Sequence, residues 1–265
     1  MTPMPALVSG PAGADRAHGL PDILAALGGF FAVHYHSPGA APVPPWRPLR
    51  ELVDQPEPLL ARIGSVRAAL ASRAGRSPDQ VELKIAASIT HLGLTARLIA
   101  PALAADAGQH RLDLPMDGLW WQDELGPVPL SVPEPPAPPP QQTHRGPPEH
   151  MEPHRLLDEV IAPITSATSG LVSVSDRVLW GNIASAINGA ATQVAAALPA
   201  LTGEALAAAD SLLGHRRLAQ ERQPPGPAFR RSSCCLLYRL TPDQPRAVCG
   251  DCILAAAGDH RVEGT

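Results

Sequence analysis

The four cysteines of the chain fall in one stretch: Cys234 and Cys235 are adjacent, thirteen residues follow, and Cys249 and Cys252 close a C-x2-C pair. Four thiols so concentrated, with none elsewhere in 265 residues, point to one four-thiolate metal site. Disulfides explain the pattern poorly, since a bridge between neighbours closes a strained ring outside the usual Cα separation. Two crossed bridges are the oxidised alternative. Zinc takes tetrahedral thiolates, usually from two knuckles with C-x2-4-C spacing, and only the second half of this motif fits. A [2Fe-2S] cluster spreads its ligands over two irons and accommodates irregular spacing and adjacent cysteines. Spacing alone leaves iron-sulfur and zinc on equal terms.

Arg230, Arg231, Arg239 and Arg246 flank the thiols. Singly each reads as a surface arginine, but together they can offset the negative charge of a thiolate-bound centre and favour its reduced state. His34 and His36 would point to one side of a strand, and His91 falls in a helical stretch; the ordinary reading of all three is surface or core rather than metal ligand. Trp46, Trp120, Trp121 and Trp180 read first as core. No serine-histidine-acid order, phosphate loop, paired catalytic carboxylate, or flavin or nicotinamide fingerprint stands out.

The elements that must position these residues are mostly helices. Apolar spacing gives helices over 22–33, 58–74 and, from a Ser77 to Gln80 capping box, 77–98, with Pro101 as a stop or kink. Ser37 to Pro48 holds five prolines and reads as irregular. Short alternating runs between Gln109 and Val132 read as two or three antiparallel strands. Helices follow over 153–169, 176–198 with Ser175 as N-cap, and 203–219. The expected fold class is mainly α with a small antiparallel β element. The regions are a disordered 1–20, a helical 21–132 with short strands, a proline-rich linker at 133–150, a helical 151–226, and a cysteine segment at 227–257. Within that last segment, Phe229 and Leu236 to Leu240 read as an extended arm and 250–257 as a short helix. The formal charge of −4 and the lack of a basic run argue against a nucleic-acid partner. No run of 18 or more consecutive apolar residues marks an integral membrane segment and no signal peptide is evident, so a cytoplasmic location is expected.

The run Arg231-Ser-Ser-Cys-Cys-Leu-Leu-Tyr-Arg-Leu240 with Cys249-Gly-Asp-Cys252 resembles the C-terminal signature of FhuF-like ferric siderophore reductases, particularly their actinobacterial (2Fe-2S)-binding members. The family carries C-C-x10-C-x2-C. Here the interval is three residues longer, and the extra length is assigned to Thr241–Arg246, since loop closure tolerates added residues. The resemblance continues in order through Phe30–His34, Pro45–Pro48, Ala86–Gly93, Ala96–Leu98, Leu119–Trp121 and Leu179–Ser185. It implies that Cys234, Cys235, Cys249 and Cys252 ligate a [2Fe-2S] cluster, and that the protein reduces a ferric siderophore, of hydroxamate type, with electrons from a separate ferredoxin or flavin reductase. Trp180 and Asn182 then become candidate substrate contacts, because Asn182, Ser185 and Asn188 put polar groups on adjoining helical turns. These groups can meet a hydroxamate or the backbone of the cysteine loop. The alternatives are an iron-sulfur electron carrier or sensor, and a zinc-stabilised adaptor.

Overall fold

The computed structural model describes residues 19–134, 153–240 and 249–254. Its elements are α1 (Leu20–Leu27), β1 (His34–His36), β2 (Arg47–Pro48), α2 (Glu51–Asp54), α3 (Pro56–Arg73), α4 (Leu83–Ala107), β3 (Trp120–Trp121) and β4 (Leu130–Pro133). There follow α5 (Pro153–Arg155), which runs through a π turn at Leu156–Ile161 into α6 (Ala162–Leu171), then α7 (Asp176–Ala197) and α8 (Thr202–Leu213). The described residues are mainly helical, with one small sheet, as the sequence predicts.

Helix α4 is the axis of the fold. Its alanines and aliphatic residues are buried on nearly every side, and α7, α8, α3 and α1 pack around it. The helix continues through Pro101, which is itself buried. The lost hydrogen bond one turn back is a local cost that packing on all sides outweighs. By length and composition α4 could cross a membrane, but 78% of its most apolar window is buried against its neighbours. One core cluster joins Leu52, Leu59, Ile63 and Leu98 to Leu157, Ile161, Ile183 and Leu213, so the helices on either side of the proline tract share a single interior.

The Ser77–Gln80 capping box forms, but it closes only a 3-10 turn at Pro78–Gln80. Val81 is extended and buried beside Ala71 and Leu240, which separates that turn from α4. Gly75 ends the preceding helical stretch at φ +63, where a side chain would be strained. Ser175 caps α7 by accepting from the Arg177 amide. Helix α8 stops at Leu213, short of the expected 219, because His215 turns extended and its ring accepts from the Arg217 amide.

The sheet order is β1-β4-β3-β2, and the pairing is mixed rather than wholly antiparallel. β3 and β4 are antiparallel, as a short connection requires. β1 and β4, separated by three helices, pair in parallel with His34 opposite Ser131. The arm expected at Leu236–Leu240 is not extended: Leu237–Leu240 is a 3-10 turn. Gly250–Leu254 is turn rather than the start of a helix. The 1–18 tail, most of the proline tract, Thr241–Arg246 and 255–257 lie outside the described residues.

Candidate metal centre

Two chain segments meet at the cysteines. The first, Phe229 to Leu240, is fixed to the helical body by hydrogen bonds at successive residues. Ser232 donates its amide to the Glu221 carboxylate at 2.6 Å and its hydroxyl to the Gln220 carbonyl at 2.8 Å. The Ser233 hydroxyl donates to the Arg177 carbonyl at 2.9 Å, and the Arg177 guanidinium donates to the Ser232 carbonyl at 3.1 Å. At Gly181 of α7 an added Cβ would overlap the Ser233 hydroxyl, so glycine is what lets the segment lie this close to the helix. The second segment, the Cys249–Cys252 turn, is closed by the Cys252 amide donating to the Cys249 carbonyl at 3.0 Å. It is joined to the first by the Arg231 amide, which donates to the Asp251 carbonyl at 3.1 Å.

The four thiols lie near one another. Cys235 and Cys249 are 3.6 Å apart, sulfur to sulfur, and Cys252 lies near Cys234 and Cys249. Cys235 and Cys252 are buried, while Cys234 and Cys249 are partly exposed. Among the described residues no three or more His, Cys, Asp or Glu side chains converge closely enough to hold a single metal ion. Amides two residues ahead turn back onto the sulfurs: Leu236 onto Cys234 at 3.3 Å, Leu254 onto Cys252 at 3.4 Å, and Leu237 onto Cys235. Leu236 adopts φ +72 in the course of this turn. A left-handed leucine costs about 1–2 kcal/mol.

Behind the thiols lies a buried polar strut. Arg231, 1% exposed, donates to the Cys249 sulfur at 3.0 Å and to Asn182 Oδ1 at 2.8 Å. Asn182 in turn donates to the Ser88 carbonyl at 2.9 Å, and the Ser88 hydroxyl donates to the Cys235 carbonyl at 2.9 Å. Helices α4 and α7 therefore reach both cysteine segments. The hydrogen bond from Cys235 and the Arg231 charge draw Cys249 down to about 6. The same bond, then burial, pushes Cys235 up, and burial raises Cys252 to about 11. Burial works against the Arg231 charge, but Asp251 and the two thiols outweigh it and hold the guanidinium above its ordinary value.

Beside this centre runs a groove of about 390 Å3. Ser185, Thr192 and Gln193 of α7 form one wall, and Arg230, Gly250 and Asp251 form the wall next to the thiols.

All four sequence-identified cysteines are thus brought together. Trp180 and Asn182 are placed differently from a ligand-facing pair. Asn182 is fully buried with its amide committed to Ser88 and Arg231, leaving it no surface for direct contact with a chelate. Trp180 is 7% exposed and lies stacked on His215 with the Arg217 guanidinium over its ring. Of the flanking arginines, Arg239 pairs with Glu82 at 3.0 Å, and Arg246 lies outside the described residues. His91 is buried on Thr165, and His36 bonds Ser131. Ser88, Glu221 and Asp251 were not legible as site residues. Asp251 had a signal in its place inside C-x2-C, whereas Ser88 and Glu221 are distant in sequence and carry none.

Comparison of the chain with protein-family models, curated proteins and solved structures returned no match.

Proposed function

We propose that the protein is a [2Fe-2S] protein that passes one electron to a ferric siderophore and so releases iron as Fe(II). The observation that carries this reading is the meeting of Cys235 and Cys249, with buried Arg231 against them, from segments thirteen residues apart. The donor set fits. Four thiols from two segments, two of them adjacent in sequence, suit a centre with two thiolates on each iron. Arg231 already has Asp251 at 3.7 Å, and thiolates held by metal would add lasting negative charge beside it.

A bound [2Fe-2S] cluster supplies one-electron transfer. Cys234, Cys235, Cys249 and Cys252 would hold it, and the Leu236, Leu237 and Leu254 amides would share the sulfur charge. The groove beside the Cys249–Cys252 turn would take the outer face of a chelate against Ser185, Thr192 and Gln193. Hydroxamate oxygens, hard donors, hold Fe(III) more tightly than Fe(II), so gain of one electron by the chelated ion loosens it. Each Fe(II) released takes one electron, which a separate ferredoxin or flavin reductase would supply in the cytoplasm.

The test is anaerobic. Purified protein should show visible absorption that bleaches with dithionite, and serine at any of the four cysteines should diminish or abolish it. Reduced protein mixed with a ferric hydroxamate should yield at most about one Fe(II) per chain in a ferrous trap. Thr192→Ala or Gln193→Ala should raise the half-saturating chelate concentration without bleaching the protein. Zinc without iron or sulfide would overturn the reading. Loaded protein that reduces a small artificial acceptor but none of several ferric chelates would replace it with an electron carrier or sensor.

A further inference from the structure

The four flanking arginines are not equivalent. Arg230 donates to the Pro227 and Phe229 carbonyls, and Arg239 turns to Glu82 at the surface. The Arg231 side chain is 0% exposed and is in hydrogen-bonding contact with a thiol. Its other charged neighbour is Asp251, at 3.7 Å from Nε, with a side chain 16% exposed. Nε and Asp251 Oδ2 both lack a hydrogen-bond partner, so these two groups face one another as charges rather than as a closed pair. Asn182 fixes the fork from the far side.

Resting on the cluster reading above, we propose that Arg231 is the positioning residue that sets the reduction potential of the centre, with Asn182 holding it on Cys249 and Asp251 opposing it. Gain of an electron adds one negative charge to the centre. A cation within hydrogen-bonding distance, away from water, favours that state, and a carboxylate in the same pocket disfavours it. Arginine suits the role because it does not lose its proton, and exposed arginines are screened by salt and solvent.

The measurement is a mediated redox titration of the intact protein, followed by visible absorption, for the wild type, Arg231→Met, Arg231→Lys and Asp251→Asn. Arg231→Met should lower the reduced-to-oxidised ratio at fixed poise at least tenfold, a shift of about 59 mV for one electron. Asp251→Asn should move it the opposite way, and Arg231→Lys, which keeps the charge but not the fork, should move it less than Arg231→Met. A purely structural role predicts no such opposition of sign. If both charge-removing variants stay within about twofold of wild type, or move in one direction, Arg231 is only a strut. Should Arg231→Met fail to hold the cluster, Asp251→Asn decides alone: without a rise in potential the proposal falls. A wild type lacking visible bands would remove the cluster reading itself, whereas normal bands with unmoved variants would remove only the role of Arg231.

Discussion

Two buried arginines organise two regions of this molecule in different ways. Arg97 leaves α4 for the sheet end, where it donates to the carbonyls of Val128 at 2.7 Å, Phe30 at 2.9 Å and Ala32. Its pKa is lowered to about 10 by burial. Arg231 is as deeply enclosed, yet its pKa is raised, since burial is outweighed by Asp251, Cys235 and Cys249. Carbonyls satisfy the donors of a guanidinium without offsetting its charge, and anionic neighbours do both. One arginine is a clamp on loops. The other stands between a carboxylate and a thiol.

The comparison breaks first at Arg97. Arg97→Met leaves the buried Val128 carbonyl and two part-buried carbonyls without their donor and should cost about 1–3 kcal/mol in urea unfolding, the range for a buried polar group left unsatisfied. A loss below about 1 kcal/mol would show that water replaces the guanidinium and that Arg97 clamps nothing.

His91 sharpens the contrast as a buried base with only the Thr165 hydroxyl, at 3.0 Å, on its ring nitrogen Nε2. Burial lowers its pKa from 6.5 to about 3. The unfolded chain takes up a proton that the folded chain refuses, so the stability present above pH 6.5 is lost as pH falls toward 3. The slope is up to about 1.4 kcal/mol per pH unit, or about 2 kcal/mol by pH 5. His91→Gln should flatten that part of the urea-derived stability profile. An unchanged profile would assign the pH dependence to other groups.

The smallest effect belongs to Lys84, whose pair with Glu82 at 3.0 Å is about two-fifths exposed on both sides. Lys84→Ala should change stability by less than about 0.5 kcal/mol, which sets the scale for charge pairs in solvent.

Local patterns were read well where one face of an element decided the outcome. The long helices, the Ser175 cap and the Gly75 stop all follow from spacing and end chemistry. Reading failed where a distant partner overrode a local preference. Val81 left the helix that the capping box opened because Ala71 and Leu240 bury it, and β1 paired in parallel because the sequence between it and β4 fills with helices. At the site, the four thiols were legible from their crowding. Their support was not: Ser88 lies 147 residues from Cys235, and no pattern in the chain links the two. Asn182 was visible as a polar residue on a helix, but whether it looked outward or inward depended on the loop that covers it.

The contact between Gly181 and Ser233 also bears on how such a chain can diverge. A lineage that gains any side chain at position 181 must give up the Ser233 hydroxyl or lift the loop away from α7. Lifting it withdraws Arg231, Cys234 and Cys235 from α7 and α4 at the same time, because all three lie within two residues of Ser233. The two positions are therefore free to drift only together, and a homologue with a bulkier residue at 181 should carry its compensation at 233.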